Sequence, residues 1–285
     1  MFELPVGLVD AVLDRLGVAP PAAADADALA RIYAAWCQSV PFDNVLKRLW
    51  LEEKWPGRLP GSTAVDFFRD WLEYRTGGTC WAGNGALFAL LRALGFRVEL
   101  GAATMMSASD TPGPNHGTVV VTLDGARFIT DASILSDTPL RLPDAGETPP
   151  PPAALPAVQV VDGRTVILWR TVRQPEGFPC RIERIGLDED EWDALHQHTA
   201  IWSPFNFATS ARLNRGPDAV GYGAGVTYRI RPDGALESQP ASRAAMVRFL
   251  AETLEIDGTV ADRLAEDRPV PPRPDGFTPP AAAGG

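Results

Sequence analysis

The sequence predicts an α+β protein built from several parts, because helical patterns come first, strand patterns follow, and a mixed segment closes the chain. The first part contains helix-like apolar spacing, and the second contains two β-rich runs around Asp124-Gly125, a dipeptide typical of a two-residue hairpin turn. At 285 residues the chain is long enough to bury a large core. The sequence has no internal repeat of the kind that a solenoid requires. The order of its elements also disfavours a single doubly wound sheet.

Four helices are expected in the first part. The apolar spacing in LVDAVLDRLGV predicts the first, and ALARIYAAWCQSV predicts the second. Residues 64–74 form the third, and the fourth begins near Cys80 and stops at Gly95.

The central and final parts are expected to be mostly strands. FRVELGAATMM and HGTVVVTLDGARFITDASIL read as strands, and VQVVDGRTVILWRTV reads as a further hairpin. The proline-rich stretch 143–157 is expected to be a loop. DEDEWDALHQHTA and SRAAMVRFLAETLEI then read as helices, with strand-like GVTYRIRPDGAL between them. The segment from Asp267 onward is expected to be disordered.

Composition excludes several classes of function. A net charge of −10 argues against a nucleic-acid partner, because phosphate binding needs clustered lysine and arginine. No apolar run approaches membrane-spanning length, and the first residues lack the pattern of a signal peptide. Three widely spaced cysteines disfavour a disulfide framework. We therefore expect a reduced, cytoplasmic protein.

One cysteine lies in a setting that favours reactivity. Cys80 follows Gly77 and Gly78 and opens the fourth predicted helix, where unpaired backbone N–H groups favour a thiolate over a thiol. The alternative is a small, inert core side chain, the usual fate of a free cysteine. A catalytic role therefore depends on finding a base and a group that orients it.

The hairpin supplies both candidates. His196 and His198 point to different faces of their helix, which disfavours a metal pair, so His116 is the candidate base and no metal is expected. With a two-residue turn at Asp124-Gly125, counting back sets His116 opposite Ser133 and diagonal to Asp131. A three-residue turn would flip that face, and a plain hairpin with polar ends is the alternative. The prediction is a Cys80–His116–Asp131 triad.

At this point the sequence resembles the arylamine N-acetyltransferase family. PFDNV at 41–45 is similar to the family's Pro-Phe-Glu-Asn-Leu, and GGTCWAGNGALFALLRALGF to its cysteine motif and following helix. The segment from His116 to Asp131 resembles its active-site hairpin, and SPFNFATSARLNRG its Ser-Pro segment. The resemblance covers most of the chain.

The resemblance implies a fold and a reaction. The fold would be an N-terminal helical bundle, a central small antiparallel β-barrel and a C-terminal α/β lid, with a cysteine-protease-like triad. The reaction would be ping-pong transfer of acetyl from acetyl-CoA through Cys80 to an arylamine or hydrazine. The implied substrate-binding residues are Phe42, Thr79, Trp81 and Phe205. The expected boundaries are 1–96 for the helical part, 97–187 for the barrel, 188–266 for an interdomain helix and the lid, and 267–285 for the tail.

The chain departs from the family pattern near the cysteine. Thr76 and Ala82 stand where the family places arginine and glutamate, and residues 132–135 replace its Val-Gly-Phe-Gly. Loss of both members of an ion pair can be neutral for stability. The altered segment leaves the acceptor open, and the acyl donor, CoA contacts and oligomeric state are open too. Two alternatives remain, namely an amide synthase-type member with a larger acyl thioester and a catalytically silent binding homologue.

Overall fold

The computed structural model describes residues 1–106, 113–278 and 280, and the described chain runs from helices through strands to a mixed end. The helices are α1 (Val6–Leu16), α2 (Ala26–Ser39), α3 (Val45–Glu52), α4 (Ala64–Tyr74), α5 (Cys80–Ala93), α6 (Glu189–His198), α7 (Arg243–Glu252) and α8 (Gly258–Ala261). The strands are β1 (Phe42–Asp43), β2 (Arg97–Met105), β3 (His116–Leu123), β4 (Ala126–Thr130), β5 (Leu140–Arg141), β6 (Ala157–Val161), β7 (Arg164–Trp169), β8 (Phe178–Leu187), β9 (Ala211–Arg215), β10 (Asp218–Gly223), β11 (Val226–Ile230) and β12 (Leu236–Pro240). The predicted α+β class is confirmed.

The N-terminal helices surround α5. This helix is apolar on all sides and is buried from Cys80 to Leu91, as expected for a helix in the middle of a core. It packs against α4 on one side and against β2 and β3 on the other. The helices predicted in the first part are confirmed, whereas α3 is an additional helix. Among the helices of the described residues, none combines the length and apolarity needed to cross a bilayer.

A seven-stranded antiparallel sheet forms a nearly closed barrel. Its strand order is β5-β4-β3-β2-β8-β7-β6, and the edge strands β5 and β6 approach each other. The predicted turn is present, since Leu123 pairs with Ala126 and both turn residues have left-handed backbone, with φ 49° at Asp124 and φ 81° at Gly125. Strand β8, between β2 and β7, was not predicted. The hairpin thus holds β3 against α5.

A second sheet joins the two ends of the chain. Its order is β1-β9-β10-β11-β12, so the short strand β1 from the first part pairs with β9. Helix α3 packs its apolar side with β9, β10, α7 and α8 in one hydrophobic cluster. The boundaries drawn from the sequence remain predictions, but α3 packs in the hydrophobic cluster of the C-terminal unit.

The proline-rich segment from Asp267 makes specific contacts, contrary to the expectation of disorder. Asp267 pairs with the fully buried Arg48 at 2.6 Å and accepts a hydrogen bond from Tyr222 at 2.9 Å. Further along, Phe277 stacks on His198 with ring centroids 4.3 Å apart. The buried guanidinium and the aromatic contact explain why residues 267–278 pack against the rest of the protein. Residues 279 and 281–285 of the predicted tail lie outside the described residues.

Candidate active site

Cys80 opens α5 at the end of a tight approach loop. A Cβ on Gly77 would lie 1.7 Å from the carbonyl oxygen of Pro41, so only glycine fits there. The Gly77 amide donates to the Asp43 carboxylate at 2.6 Å, and Gly78 bridges to Phe42. The loop therefore packs directly against the PFDN segment.

The first backbone N–H groups of α5 have no side-chain cap. The side chain of Thr79, which precedes the helix, makes no capping hydrogen bond, and the first amides of a helix have no partner within it. Their partial positive charge lies at the end of the helix that begins with Cys80, which is 6% exposed.

His116 begins β3 and faces Asp131. His116 Nε2 lies 2.8 Å from Asp131 Oδ2, and both side chains are almost fully buried. A carboxylate acceptor at Nε2 places the proton of that nitrogen toward Asp131 and leaves Nδ1 free of it. The Cys80 sulfur is near enough to raise the pKa of His116. The three residues of the predicted triad therefore lie together.

Asp131 reaches His116 by a geometry different from the predicted one. The ladder between β3 and β4 ends at Thr130, so His116 does not face Ser133 and pairs instead with Ala103 of β2. Asp131 Oδ1 accepts from the backbone amides of Ser133 and Ile134, at 2.9 and 3.0 Å. This local turn competes with the ladder and ends the strand. It also fixes the carboxylate, leaving Oδ2 for the imidazole.

The electrostatics of the site favour an imidazolium. Burial alone would lower the pKa of His116, but the Asp131 carboxylate and the Cys80 sulfur raise it from 6.5 to about 10. Burial would likewise raise the pKa of Asp131, but His116 and the two backbone amides hold it below 3.8. The arrangement therefore suits an ion pair between Cys80 and His116 oriented by Asp131.

Two further side chains hold the Asp131 loop. Asn84 Oδ1 accepts from the Ala132 amide at 2.9 Å, and its amide group donates to the Gly117 carbonyl at 2.7 Å. Asn84 therefore connects α5 to the backbone next to His116 and to the backbone next to Asp131. Asn84 lies in the cysteine motif noted in the sequence, which was the available signal.

Tyr33 has no comparable signal in the sequence. Its hydroxyl accepts from the amides of Asp131 at 2.9 Å and Ser136 at 3.2 Å, and it donates to the Asp131 carbonyl at 2.9 Å. These contacts join α2 to a loop about a hundred residues later, so local spacing does not predict them.

The four predicted substrate-binding residues lie in different surroundings. Phe42 and Phe205 come together, with ring centroids 5.3 Å apart, although they are distant in sequence. Thr79 lines a small cavity together with Gly77 and Gly78. Trp81, by contrast, is 1% exposed and packs against Trp192 with centroids 4.8 Å apart. Its side chain lies in the core, and its role in substrate binding stays a prediction.

The two positions near Cys80 that depart from the family pattern, Thr76 and Ala82, carry no charge. Thr76 is fully buried and its hydroxyl has no partner, whereas Ala82 lies in the core against the Gly78 loop. Both positions are therefore neutral. The altered loop keeps a left-handed backbone at Leu135, with φ 54°, a conformation that glycine adopts more easily.

Sequence comparison finds a family model and a curated relative that match this chain. The model of a family described as N-acetyltransferase matches residues 25–168. An arylamine N-acetyltransferase of Mycolicibacterium smegmatis is 32% identical over 139 residues, or 46% of this chain and 48% of the relative. The match thus spans about half the length of that curated relative.

Solved structures match over a longer stretch. The arylamine N-acetyltransferase of M. tuberculosis gives a TM-score of 0.73 at 19% identity, covering 90% of this chain and 100% of the other. The M. smegmatis enzyme gives 0.74 at 21% identity, with 90% and 97% covered. The Mycobacterium marinum enzyme in complex with CoA gives 0.73 at 18% identity, with 90% and 95% covered. These likenesses establish the fold, including the helical bundle, barrel and lid. Together with the family model over half the chain, they show that the chain belongs to the arylamine N-acetyltransferase family.

Proposed function

We propose that this protein is a CoA-dependent acyltransferase that carries an acetyl group on Cys80 and passes it to an arylamine or hydrazine. The observation that carries the proposal is the buried pair of His116 Nε2 and Asp131 Oδ2 at 2.8 Å, near a Cys80 sulfur that raises the pKa of His116. Family membership supports the chemistry, and the CoA-bound relative supports the donor.

In the first half-reaction, the Cys80 thiolate attacks the carbonyl carbon of acetyl-CoA. The attack forms a new C–S bond to Cys80, and the C–S bond to CoA then breaks. The His116 imidazolium gives its proton to the departing CoA sulfur. The backbone N–H of Cys80, the first in its helix, is the proposed donor to the oxyanion.

In the second half-reaction, an amine nitrogen attacks the acetyl-Cys80 carbonyl. The neutral His116 takes the amine proton, the C–S bond breaks, and the thiolate–imidazolium pair is restored. Phe42 and Phe205 are the proposed contacts for an aromatic acceptor, because their edge-to-face pair lies beside the Gly78 loop.

The other two thiols provide an internal contrast. Cys37 and Cys180 are completely buried, and burial raises the pKa of each well above its usual value. Neither lies at the start of a helix. They are therefore expected to stay unreactive while Cys80 is acylated.

The test is intact-mass measurement after incubation with acetyl-CoA and no acceptor. We expect wild type and the matched control Cys180→Ala to gain one acetyl group, and Cys80→Ala to gain none. An adduct only with a longer acyl thioester would favour the amide synthase-type alternative. A Cys80 that also resists iodoacetamide near neutral pH would refute both enzymatic functions. A panel of amines offered to the acylated protein then identifies the acceptor.

A further inference from the structure

The C-terminal strap, defined as residues 267–278, packs along one continuous stretch of chain, residues 198–209. At the far end of the strap, Phe277 stacks on His198, and its ring also meets Trp202 edge to face with centroids 5.8 Å apart. These two contacts lie where α6 ends and the stretch begins. The strap therefore holds the beginning of the stretch through aromatic contacts.

The near end of the strap holds the end of the same stretch. Asp267 Oδ1 accepts from the Thr209 amide at 2.7 Å and pairs with the guanidinium of Arg48, which also donates to the Thr209 hydroxyl at 2.6 Å. The amide of Arg268 donates to the Phe207 carbonyl at 2.9 Å. The stretch is thus fixed by the strap at both of its ends.

Phe205 lies between these two fixed ends. Its ring is half-buried and meets the ring of Phe42, which in turn bridges to the Gly78 loop. Asn44 donates to the carbonyls of Phe205 and Ala208, at 2.7 and 2.8 Å, so it holds the backbone of this part and not the ring. The direction of the Phe205 ring therefore depends on the path of the chain that the strap fixes.

We propose that the strap positions Phe205 against the ring of an aromatic acceptor, with Phe277 and Asp267 as positioning residues. The inference rests on the proposed function, in which Phe42 and Phe205 contact that ring. The strap acts through the stretch 198–209, whose two ends it holds on either side of Phe205. It therefore belongs to the second half-reaction, in which the acceptor attacks the acetyl group.

A strap that only stabilised the fold would affect every acceptor alike. A displaced Phe205, by contrast, weakens only those acceptors whose ring it contacts, because the contact between two aromatic rings depends on their distance and orientation. Acylation of Cys80 by acetyl-CoA precedes acceptor binding in the proposed reaction and should not change. The preference for an acceptor with a ring over one without a ring therefore separates the two roles.

The experiment acetylates Cys80 with acetyl-CoA, removes the donor, and follows loss of the acetyl group by intact mass after addition of phenylhydrazine or hydrazine. The proteins are wild type, Phe277→Ala, Asp267→Asn and the matched control Asp275→Asn, which changes an exposed carboxylate of the same strap. F277A and D267N should lower the second-order rate constant for phenylhydrazine roughly three- to tenfold, the worth of one aromatic contact, and leave that for hydrazine unchanged. D275N should match wild type with both acceptors.

A double substitution tests whether the strap acts through Phe205. Phe205→Leu should itself lower the rate constant for phenylhydrazine, and F277A added to it should have little further effect. A folded F277A, checked by circular dichroism, whose ratio of the two rate constants equals that of wild type would overturn the inference, and so would an undiminished effect of F277A beside F205L. If D267N does not fold, F277A alone decides. A wild-type Cys80 that gains no acetyl group contradicts the proposed function and this inference with it, whereas normal acetylation with unchanged acceptor preference contradicts only the role of the strap.

Discussion

Replacement of Asp131 by asparagine tests how the base is oriented. The new side chain keeps an oxygen for the Ser133 and Ile134 amides, but its NH₂ group then faces His116 in place of Oδ2. The imidazole must accept that hydrogen bond at Nε2, so its proton moves to Nδ1, the nitrogen that serves Cys80 in the proposed reaction. A ring in this tautomer does not take a proton from the thiol.

The magnitude follows from the charge balance of the site. The rise in the His116 pKa from 6.5 to about 10, reached against burial through Asp131 and Cys80, corresponds to on the order of 5 kcal/mol in favour of the imidazolium. Much of this is lost in D131N. We expect acylation of Cys80 at pH 7 to fall by roughly 10³–10⁴-fold. Rapid-quench mixing with acetyl-CoA followed by intact-mass analysis measures it.

The same substitution changes the pH dependence of stability. The folded-state pKa of His116 lies above its unfolded value, so its stabilising contribution is complete below about pH 6.5 and is lost as pH rises towards about 10. Urea unfolding should show this decline in wild type and a flatter dependence in D131N. Asp137→Asn, in the same loop and bonded to Gln38 and Asn214, is the matched control and should acylate normally. A D131N rate within a factor of about two of wild type would refute the assigned role.

Two further substitutions test how the site is held. Gly77→Ala places a Cβ 1.7 Å from the Pro41 carbonyl and should abolish folding or lower the melting temperature strongly, whereas Gly7→Ala, with nothing within 4 Å, should raise stability by about 0.5–1 kcal/mol. Equal melting temperatures for the two variants would contradict the close approach. Tyr33→Phe leaves the buried amide of Asp131 without its hydroxyl partner, so chemical denaturation should show a loss of about 1–3 kcal/mol, together with slower acylation. Unchanged stability and unchanged acylation would remove Tyr33 from the support of the loop.

The local sequence predicts the site well where geometry follows from a turn. Asp124-Gly125 sets the register of the hairpin, and this brings His116 and Asp131 to the same end of it. The exact contact was not predictable, because the Asp131 side chain bonds its own following backbone and ends β4 early. A side chain that competes with the ladder leaves no trace in strand periodicity.

Contacts between distant segments explain most of what was missed. Tyr33 bonds to a loop far along the chain, so it does not stand out from the helix that carries it. Strand β8 lacks a clean alternation of buried and exposed residues, although it completes the barrel. The resemblance implies Trp81 as a substrate contact, but it does not tell which side of a buried helix a residue faces, and the Trp81 side chain faces the core.

The pairing of β1 with β9 has a consequence for the order of assembly. Phe42 and Asp43 support the Gly77–Gly78 loop, yet their strand partner lies at Ala211–Arg215. A growing chain that has reached the end of β8 already contains Cys80, His116 and Asp131, but β1 is still an unpaired edge. Contacts so far apart in sequence form late in folding. The support that β1 gives to the loop before Cys80 therefore depends on the C-terminal sheet being present.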